Sequence, residues 1–280
     1  MREIFVVFEP ASQVPLGEAP TSPGHVAGEA RAGGPNPLTA EFLADKMAVV
    51  IDVLRATSSI LAALANGATR VIPTLEVSEA LALRARLSRR AGIVLGGERG
   101  GLQIEGFDLG NTPQEFTAEV VRGKTVIMTT TNGTRAILAA LPAARLYVAA
   151  LNNVSATARA AEQCLGDLVL VAAGTEGLVS WEDSFCAGAI VERLTADARA
   201  AHSSSGQARN WRLSDSAAVA LELWRAAKGD LHSALRRGRG GRNVTKHHLD
   251  AAFDSCGALD SIDFAARVHK EPLEIVRESA

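Results

Sequence analysis

Short apolar runs alternate with longer Ala/Leu-rich segments along the chain from Met47 to Asp197. The short runs have four to seven residues and many β-branched side chains, and the longer segments of ten to sixteen residues carry apolar positions at helical spacing. This alternation predicts an α/β fold with a parallel or mixed sheet and helices on both of its faces.

We assign each apolar run to one strand and each longer segment to one helix. The predicted strands span residues 4–8, 48–53, 70–74, 93–96, 125–129, 145–149 and 168–172. The predicted helices span residues 58–66, 76–90, 113–121, 133–140, 154–165 and 181–197. Before the third helix, Thr112 is a capping residue, Pro113 suits the first helical position and Glu115 the third, which together indicate a helix start.

The two ends of the chain differ from this core in their composition and hydrophobic pattern. Residues 10–37 are dense in Pro, Gly, Ala and Ser, which predicts a surface loop within an insertion at 10–46. From residue 200 onward the sequence has a polar tract at 202–207, an amphipathic helix at 215–227 and a basic loop at 236–242. We therefore expect one domain over residues 1–280, with an appended, mostly helical part at 200–280.

Composition and charge narrow the class of protein. Of the 280 residues, 47% are hydrophobic and 21% charged, which is typical of a globular protein, and 29 basic against 31 acidic residues leave a net charge of −2. This balance argues against nucleic-acid and membrane partners. Three cysteines without a CxxC pair indicate reduced thiols, and the apolar run at residues 4–8 is too short for a signal peptide. We expect a cytoplasmic location.

The first group of polar residues follows the strand at 48–53. Because ligands of open α/β sheets bind at the carboxyl ends of strands, we expect functional side chains in such loops. Asp52, Arg55, Thr57 and Ser58 place an acid, a guanidinium and hydroxyls at the start of a helix, which suits an anion. The alternative is structural: Thr57 or Ser58 caps the helix and Asp52 pairs with Arg55.

A second group repeats this pattern after the strand at 125–129. Thr130, Thr131, Asn132 and Arg135 again surround a helix start and suit a phosphate or carboxylate group. The Asn132-Gly133 pair is also typical of a hairpin, but the Ala/Leu-rich continuation favours a helix. Structural capping is the alternative here too.

A third and a fourth group contain fewer polar residues. Glu98 and Arg99 stand between glycine pairs after the strand at 93–96, in a spacing that matches neither a dinucleotide nor a Walker fingerprint. A flexible turn is the alternative. Asp108 and Asn111 are short oxygen ligands before the capped helix, and turn chemistry explains them equally well.

Carboxylates also follow the strand at 168–172. Glu182 and Asp183 lie at the start of the next helix, where Asp183 could simply complete a capping box with Ser180. Together with Asp52 and Glu98 they form an oxygen-only acid set, which suits Mg²⁺, while the arginines suit phosphate oxygens. The sequence thus favours a site for a phosphate-bearing ligand and a metal ion.

Six ordered segments together resemble the 2-phosphosulfolactate phosphatase (ComB-like) family. They are VIDVLRATSSI, GGERGG, GFDLGNTPQEF, GKTVIMTTTNGTRAI, ALNNVSATA and AAGTEGLVSWEDSFCAGAI, and they cover roughly residues 49–194. The resemblance implies a three-layer α/β/α fold and a Mg²⁺-dependent phosphatase that converts 2-phospho-3-sulfolactate to 3-sulfolactate in the route to coenzyme M. The C-terminal family segment matches only as Arg239-Gly240-Gly241-Arg242, so another 2-phospho acid is an alternative substrate.

The resemblance also suggests roles for the polar residues. Asp52 would act as a base toward water or as a nucleophile, and Mg²⁺ would be held by Glu98 with one or both of Glu182 and Asp183. The other catalytic candidates are Arg55, Asn132 and Arg135, and the substrate-binding candidates are Thr57, Ser58, Arg99, Asn111, Thr130 and Thr131. A homodimer that completes the site is compatible with these arginines. The competing class is a phospho-ligand binding protein without turnover.

Overall fold

A computed structural model of the chain describes residues 1–8, 38–87, 92–201 and 211–278, with the backbone alone for 197–201. The strands are β1 (Arg2–Val7), β2 (Met47–Ile51), β3 (Arg70–Pro73), β4 (Ile93–Arg99), β5 (Leu102–Gln103), β6 (Thr125–Thr129), β7 (Arg145–Ala149), β8 (Leu168–Ala172), β9 (Trp211–Leu213), β10 (Ala265–Lys270) and β11 (Leu273–Glu278). The helices are α1 (Ala40–Leu43), α2 (Ala56–Ala65), α3 (Val77–Leu87), α4 (Ala118–Val121), α5 (Gly133–Ala139), α6 (Val154–Glu162), α7 (Trp181–Ala201), α8 (Asp215–Ala227), α9 (Leu231–Arg237), α10 (Arg239–Lys246) and α11 (Ala252–Cys256).

The strands form one mixed sheet in the order β5-β4-β6-β3-β11-β10-β7-β2-β8-β1-β9. Neighbours are parallel on both sides of the sheet, in β4-β6-β3 and in β7-β2-β8-β1-β9. Between these groups, the antiparallel hairpin β10–β11 pairs with β7 and with β3. The prediction of a parallel or mixed sheet is confirmed: the sheet is mixed because of this hairpin and of the short edge strand β5, which pairs antiparallel with β4.

The sheet separates apolar cores that lie on its two faces, as the side chains of β2 show. All five of its residues are buried, and they alternate between the two sides, as successive side chains of a strand must. Met47, Val49 and Ile51 belong to the core that packs on α6, α7 and α8. Ala48 and Val50 belong to the core that packs on α2 and α5. The predicted α/β fold with helices on both faces is therefore confirmed.

The sheet is also strongly curved. The strands β6 and β2 are five interstrand spacings apart and run in opposite directions, because three antiparallel pairings lie between them. In a flat sheet their carboxyl ends would therefore lie on opposite edges, more than about 24 Å apart. Yet the loops at their carboxyl ends touch, since a Cβ placed on Gly133 would lie 2.8 Å from Oδ2 of Asp52. The curvature therefore brings the end of β2 and the end of β6 to one place.

The C-terminal part differs from its prediction in two ways. The basic loop predicted at 236–242 is wrong, because these residues belong to α9 and α10; Asp230 starts α9 by accepting the Ser233 N–H at 3.0 Å. The helical part also supplies the strands β9, β10 and β11 to the sheet. In β10, Ala266 and Val268 are buried while Arg267 between them is not, which is the alternation of a strand.

Smaller differences concern the other predicted elements. The helix predicted at 113–121 is a 3-10 turn at Pro113–Glu115 followed by α4. The insertion predicted at 10–46 ends in α1, whose first turn Thr39 caps by accepting the Phe42 N–H at 3.1 Å. The loop at 10–37 and the polar tract at 202–207 lie outside the described residues. Among the described residues, no helix is long and apolar enough to cross a membrane.

Candidate active site

A cavity of about 160 Å³ opens where the carboxyl ends of β2, β4, β6 and β8 meet helix α10. It is lined by Asp52, Leu54, Arg55, Glu98, Gly100, Gly101, Asn111, Thr131, Asn132, Thr175, Glu176, Gly240, Asn243, Val244, Lys246 and His247. Six of these residues were predicted from the sequence: Asp52, Arg55, Glu98, Asn111, Thr131 and Asn132. The fold thus brings together polar groups from four separate loops.

Asp52 is buried between the end of β2 and the start of α2. Its Oδ1 accepts the Ala56 N–H at 3.2 Å, and its backbone is tied to the Thr57 hydroxyl, which donates to the Asp52 carbonyl at 2.7 Å. Burial raises the pKa of Asp52 to about 7, and the neighbouring Glu98 carboxylate also raises it. Asp52 therefore caps the helix and also faces the cavity with a proton affinity suited to neutral pH.

Arg55 is the buried cation of the cavity. Its guanidinium donates to the Thr112 hydroxyl through Nη1 and to the Gly101 carbonyl through Nη2, both at 2.7 Å. The predicted structural alternative, in which Asp52 pairs with Arg55, differs from this arrangement. Burial lowers the pKa of Arg55, which nevertheless stays protonated at neutral pH. Two hydrogen bonds fix the guanidinium, and its remaining N–H groups are available to a ligand.

Glu98 joins two of the loops. Its Oε2 accepts the Gly101 N–H at 2.8 Å, and its Oε1 accepts the Thr131 N–H at 2.7 Å. Each carboxylate oxygen has a second lone pair, so both can still bind another group. With Asp52 and Glu98 ionised, the buried part of the cavity holds two negative groups against the one cation Arg55. A phosphate dianion would therefore be repelled unless a proton or a metal cation entered with it.

Two further oxygens at the cavity have no protein partner. The Oδ1 atom of Asn111 and the Oγ1 atom of Thr131 are buried, and neither makes a hydrogen bond. Most buried polar atoms in proteins have a hydrogen-bond partner, so these two unpaired oxygens indicate that a ligand binds here. The donor set of Glu98, Asn111 and Thr131 is made of oxygen atoms only, as Mg²⁺ prefers. The residues present thus fit a magnesium ion.

Glu182 and Asp183 lie behind the cavity rather than on its wall. Both are buried at the start of α7, where the Asp183 N–H donates to Oγ of Ser180 at 3.2 Å. The Asp183 carboxylate accepts the N–H groups of Val53 at 2.8 Å and Gly174 at 3.3 Å. Within the described ranges, no three His, Cys, Asp or Glu side chains could share one metal ion. The set of Glu98 with both Glu182 and Asp183 is therefore not assembled.

The remaining candidates from the sequence also lie off the cavity wall. Ser58 donates to the Val53 carbonyl, and Thr130 accepts the Thr134 N–H at the start of α5. Arg99 is exposed and donates to the Glu98 and Leu75 carbonyls. Thr57 bonds the backbone of Asp52, and Arg135 is half-buried in the first turn of α5. These residues shape the loops, and the structure places none of them at the cavity.

Sequence reasoning missed the wall that α10 provides. Its cavity-lining residues include Asn243, Lys246 and His247, which follow the segment 236–242 that the sequence assigned to a basic loop. A signal was present in the pair Gly240-Gly241, because glycines inside a helix mark a close approach of another group. The group in question is Glu182, against which a Cβ on Gly238 or Gly240 would collide.

Glu182 should make stability depend on pH. Burial raises its pKa from 4.5 to about 7, so the folded protein keeps a proton that the unfolded chain releases between these values. Stability is therefore lost as the pH rises through this window, by on the order of 3 kcal/mol. We expect Glu182→Gln to remove this loss of stability. When the free energy of unfolding is measured with urea in EDTA, the variant should become more stable relative to the wild type between about pH 5 and about pH 8.

The exposed Glu105 gives the matched control, and Glu105→Gln should follow the wild type at both pH values. An equal difference between Glu182→Gln and the wild type at both pH values would contradict the assignment of a buried, ionising Glu182.

Comparison with known proteins identifies the family. The family model described as 2-phosphosulpholactate phosphatase matches residues 35–271. Curated relatives named "Probable 2-phosphosulfolactate phosphatase" include one from Clostridium novyi, 36% identical over 229 residues, which are 82% of this chain and 92% of the relative. The relative from Symbiobacterium thermophilum is 40% identical over 223 residues, 80% of this chain and 91% of the relative.

Shorter alignments reach higher identity. The relative of the same name from Caldanaerobacter subterraneus subsp. tengcongensis is 49% identical over 159 residues, which are 57% of this chain and 66% of the relative. This alignment, like the one with a Clostridium botulinum relative, spans just under two thirds of the relative's length. The resemblance inferred from the six sequence segments is confirmed, and the chain belongs to the 2-phosphosulfolactate phosphatase family, a family of phosphoric monoester hydrolases.

Proposed function

We propose that the chain is a Mg²⁺-dependent phosphatase that hydrolyses 2-phospho-3-sulfolactate to 3-sulfolactate and inorganic phosphate, a reaction of the coenzyme M biosynthesis type. The observation that carries the proposal is the meeting of Asp52, Arg55, Glu98, Asn111 and Thr131 at one cavity. Family membership supports the reaction class. The volume of about 160 Å³ lies below that of typical drug-sized sites, which favours a small ester.

Arg55 binds the phosphate group in this proposal. Its guanidinium is held at two of its five N–H groups by Thr112 and Gly101, so the others point to a ligand in fixed geometry. Charge-assisted hydrogen bonds to phosphate oxygens are roughly twice as strong as neutral ones. Asn132, at the start of α5, lies on the same cavity and supplies a further polar group to the phosphate.

Asp52 performs the proton or phosphoryl step. With a pKa of about 7, its carboxylate can accept a proton from an attacking water at neutral pH. Water oxygen then bonds to phosphorus while the ester P–O bond breaks, and the proton ends on the departing hydroxyl. In the other route the Asp52 carboxylate bonds to phosphorus while the ester P–O bond breaks, and the departing alkoxide takes a proton from water. A second water then hydrolyses the acyl phosphate to inorganic phosphate and the free Asp52 carboxylate. Both routes need the same carboxylate.

Glu98 is the residue best placed to hold Mg²⁺, with the unpartnered oxygens of Asn111 and Thr131 as further ligands. Mg²⁺ commonly binds through one or two carboxylates and the substrate phosphate. The bound ion would neutralise charge on the transferred phosphoryl oxygens. This arrangement offsets the surplus of negative charge at Asp52 and Glu98, which otherwise opposes an anionic substrate.

We further propose a cytoplasmic location. Cys164, Cys186 and Cys256 are free and buried, as expected for thiols that remain reduced.

The proposal is tested by phosphate release from a panel of 2-phospho acids, including 2-phosphosulfolactate, phospholactate and phosphoglycolate, each with Mg²⁺ and with EDTA. We expect Mg²⁺-dependent release that is fastest with 2-phosphosulfolactate. Faster release from another ester would retain the chemistry and change the substrate. Absence of release from every ester would contradict the phosphatase and favour a phospho-ligand binding protein.

A further inference from the structure

Helix α10 presents one continuous face to the cavity. Its residues Gly240, Asn243 and Val244, together with His247 directly after its end, all line the cavity, and their spacing of three, four and seven is that of a single helix face. Lys246 joins this wall from the last turn. The wall stands apart in sequence from the loops that carry Asp52, Arg55 and Glu98.

The charge of this face is opposite to that of the loops. Lys246 contributes a cation, Asn243 an amide and His247 an imidazole, whereas α10 adds no carboxylate to the cavity. In the described part of the chain, Lys246 has no ion-pair partner. Its side chain is exposed, so it can reach a ligand without first breaking another contact.

Two contacts fix α10 relative to the loops. On one side, Gly238 and Gly240 pack so closely on the Glu182 carboxylate that an added Cβ would overlap it. On the other side, His247 lies over Gly101, where an added Cβ would be 2.9 Å from its Cδ2. The carbonyl of Gly101 in turn accepts the hydrogen bond from Arg55. The helix that carries Lys246 is therefore fixed against the loop that holds Arg55.

We propose that the α10 face, through Lys246 supported by Asn243 and His247, binds the second anionic group of the substrate, the carboxylate or sulfonate that is not the phosphate. The proposal rests on the proposed function. Two cations on separate walls suit a ligand with two separated anions, one at Arg55 and one at Lys246. An ammonium group is a point charge with three donors, and it can serve a sulfonate or a carboxylate without a planar match. Lys246 is thus assigned as a specificity-determining residue.

The binding of each half of the substrate can be measured separately by titration calorimetry in the presence of Mg²⁺. Inorganic phosphate probes the Arg55 end, and 3-sulfolactate probes the α10 end. We expect Lys246→Met to weaken 3-sulfolactate binding about tenfold, the size of one solvent-accessible charged hydrogen bond, and to change phosphate binding by less than about twofold. Lys246→Arg, which keeps the charge, should bind 3-sulfolactate nearly as the wild type does.

Lys124→Met is the matched control, because Lys124 precedes β6 at the end of the strand away from the cavity; it should change neither affinity. Lactate forms another arm of the test. If Lys246→Met weakens the binding of both 3-sulfolactate and lactate, Lys246 binds the carboxylate. If it weakens the binding of 3-sulfolactate alone, Lys246 binds the sulfonate. Both results support the proposal.

The proposal is overturned if Lys246→Met weakens phosphate binding as much as 3-sulfolactate binding, or if the wild type does not bind 3-sulfolactate. Failure of the proposed function looks different, because binding requires no turnover. Binding that depends on Lys246 without phosphate release would retain the second-anion site and reject the phosphatase. Turnover of 2-phosphosulfolactate that is indifferent to Lys246→Met would retain the phosphatase and reject this role of α10.

Discussion

Asp52→Asn should lower kcat for 2-phosphosulfolactate by about 10²-fold or more while the protein stays folded. The amide can neither accept a proton from water nor attack phosphorus. Its oxygen can still accept the Ala56 N–H, so the start of α2 keeps its cap. Because burial already disfavours the ionised carboxyl, the neutral side chain should not destabilise the fold. Phosphate-release kinetics and thermal unfolding of the same preparations measure both parts of this expectation.

Asp45→Asn is the matched control for this change. Asp45 is exposed, precedes the opposite end of β2 and pairs with Lys46, so the same atom replacement there should leave kcat unchanged. A kcat of Asp52→Asn within a few-fold of the wild type would remove Asp52 from the chemistry.

Gly240→Ala should lower both stability and turnover. The added methyl group would overlap Oε1 of Glu182, and because this carboxylate is buried, relief of the overlap requires the Glu182 side chain or α10 to shift. Overpacking of this kind costs typically 1–3 kcal/mol, which thermal unfolding would detect. A shift of about 1 Å in groups that position a substrate can cost on the order of 10²-fold in rate, and Lys246 and His247 move with the helix. We therefore expect the folded variant to lose kcat/KM on the order of 10²-fold, a loss that partial unfolding does not explain.

The controls for Gly240→Ala separate this clash from a general effect of alanine. A Cβ on Gly229 would meet nothing within 4 Å, so Gly229→Ala should change stability by no more than about 0.5 kcal/mol. In a Glu182→Ala background the clash is removed, and Gly240→Ala should then cost little. An equal cost in both backgrounds would contradict the packing of Glu182 on α10.

The strands β6, β7 and β8 were predictable because burial on both faces of the sheet produces short, continuous apolar runs in the sequence. The runs at 125–129, 145–149 and 168–172 match β6, β7 and β8 residue for residue. The hairpin β10–β11 was missed for a physical reason. Its short alternating strands gain their stability from long-range pairing with β7 and β3, and neither partner is visible in the local pattern.

The loops of the candidate site were predictable because functional groups gather at the carboxyl ends of strands. Sequence could not show which side chains turn toward the cavity. Arg55 does so because Thr112 and Gly101 hold it there. Arg99, in an equally suggestive loop, is exposed, donates to the carbonyls of Glu98 and Leu75 and does not line the cavity. The wall made by α10 depends on the fit of Gly240 to Glu182, a contact between residues far apart in sequence.

Phosphate release from 2-phosphosulfolactate by the purified wild type and by Asp52→Asn, each with Mg²⁺ and again after EDTA, tests most directly whether this cavity is a phosphatase site. We expect sustained release only from the wild type with Mg²⁺, with release restored when Mg²⁺ is added back after chelation. Equal release by the wild type and Asp52→Asn, or no release by the wild type with Mg²⁺, would contradict a phosphatase that works at this cavity.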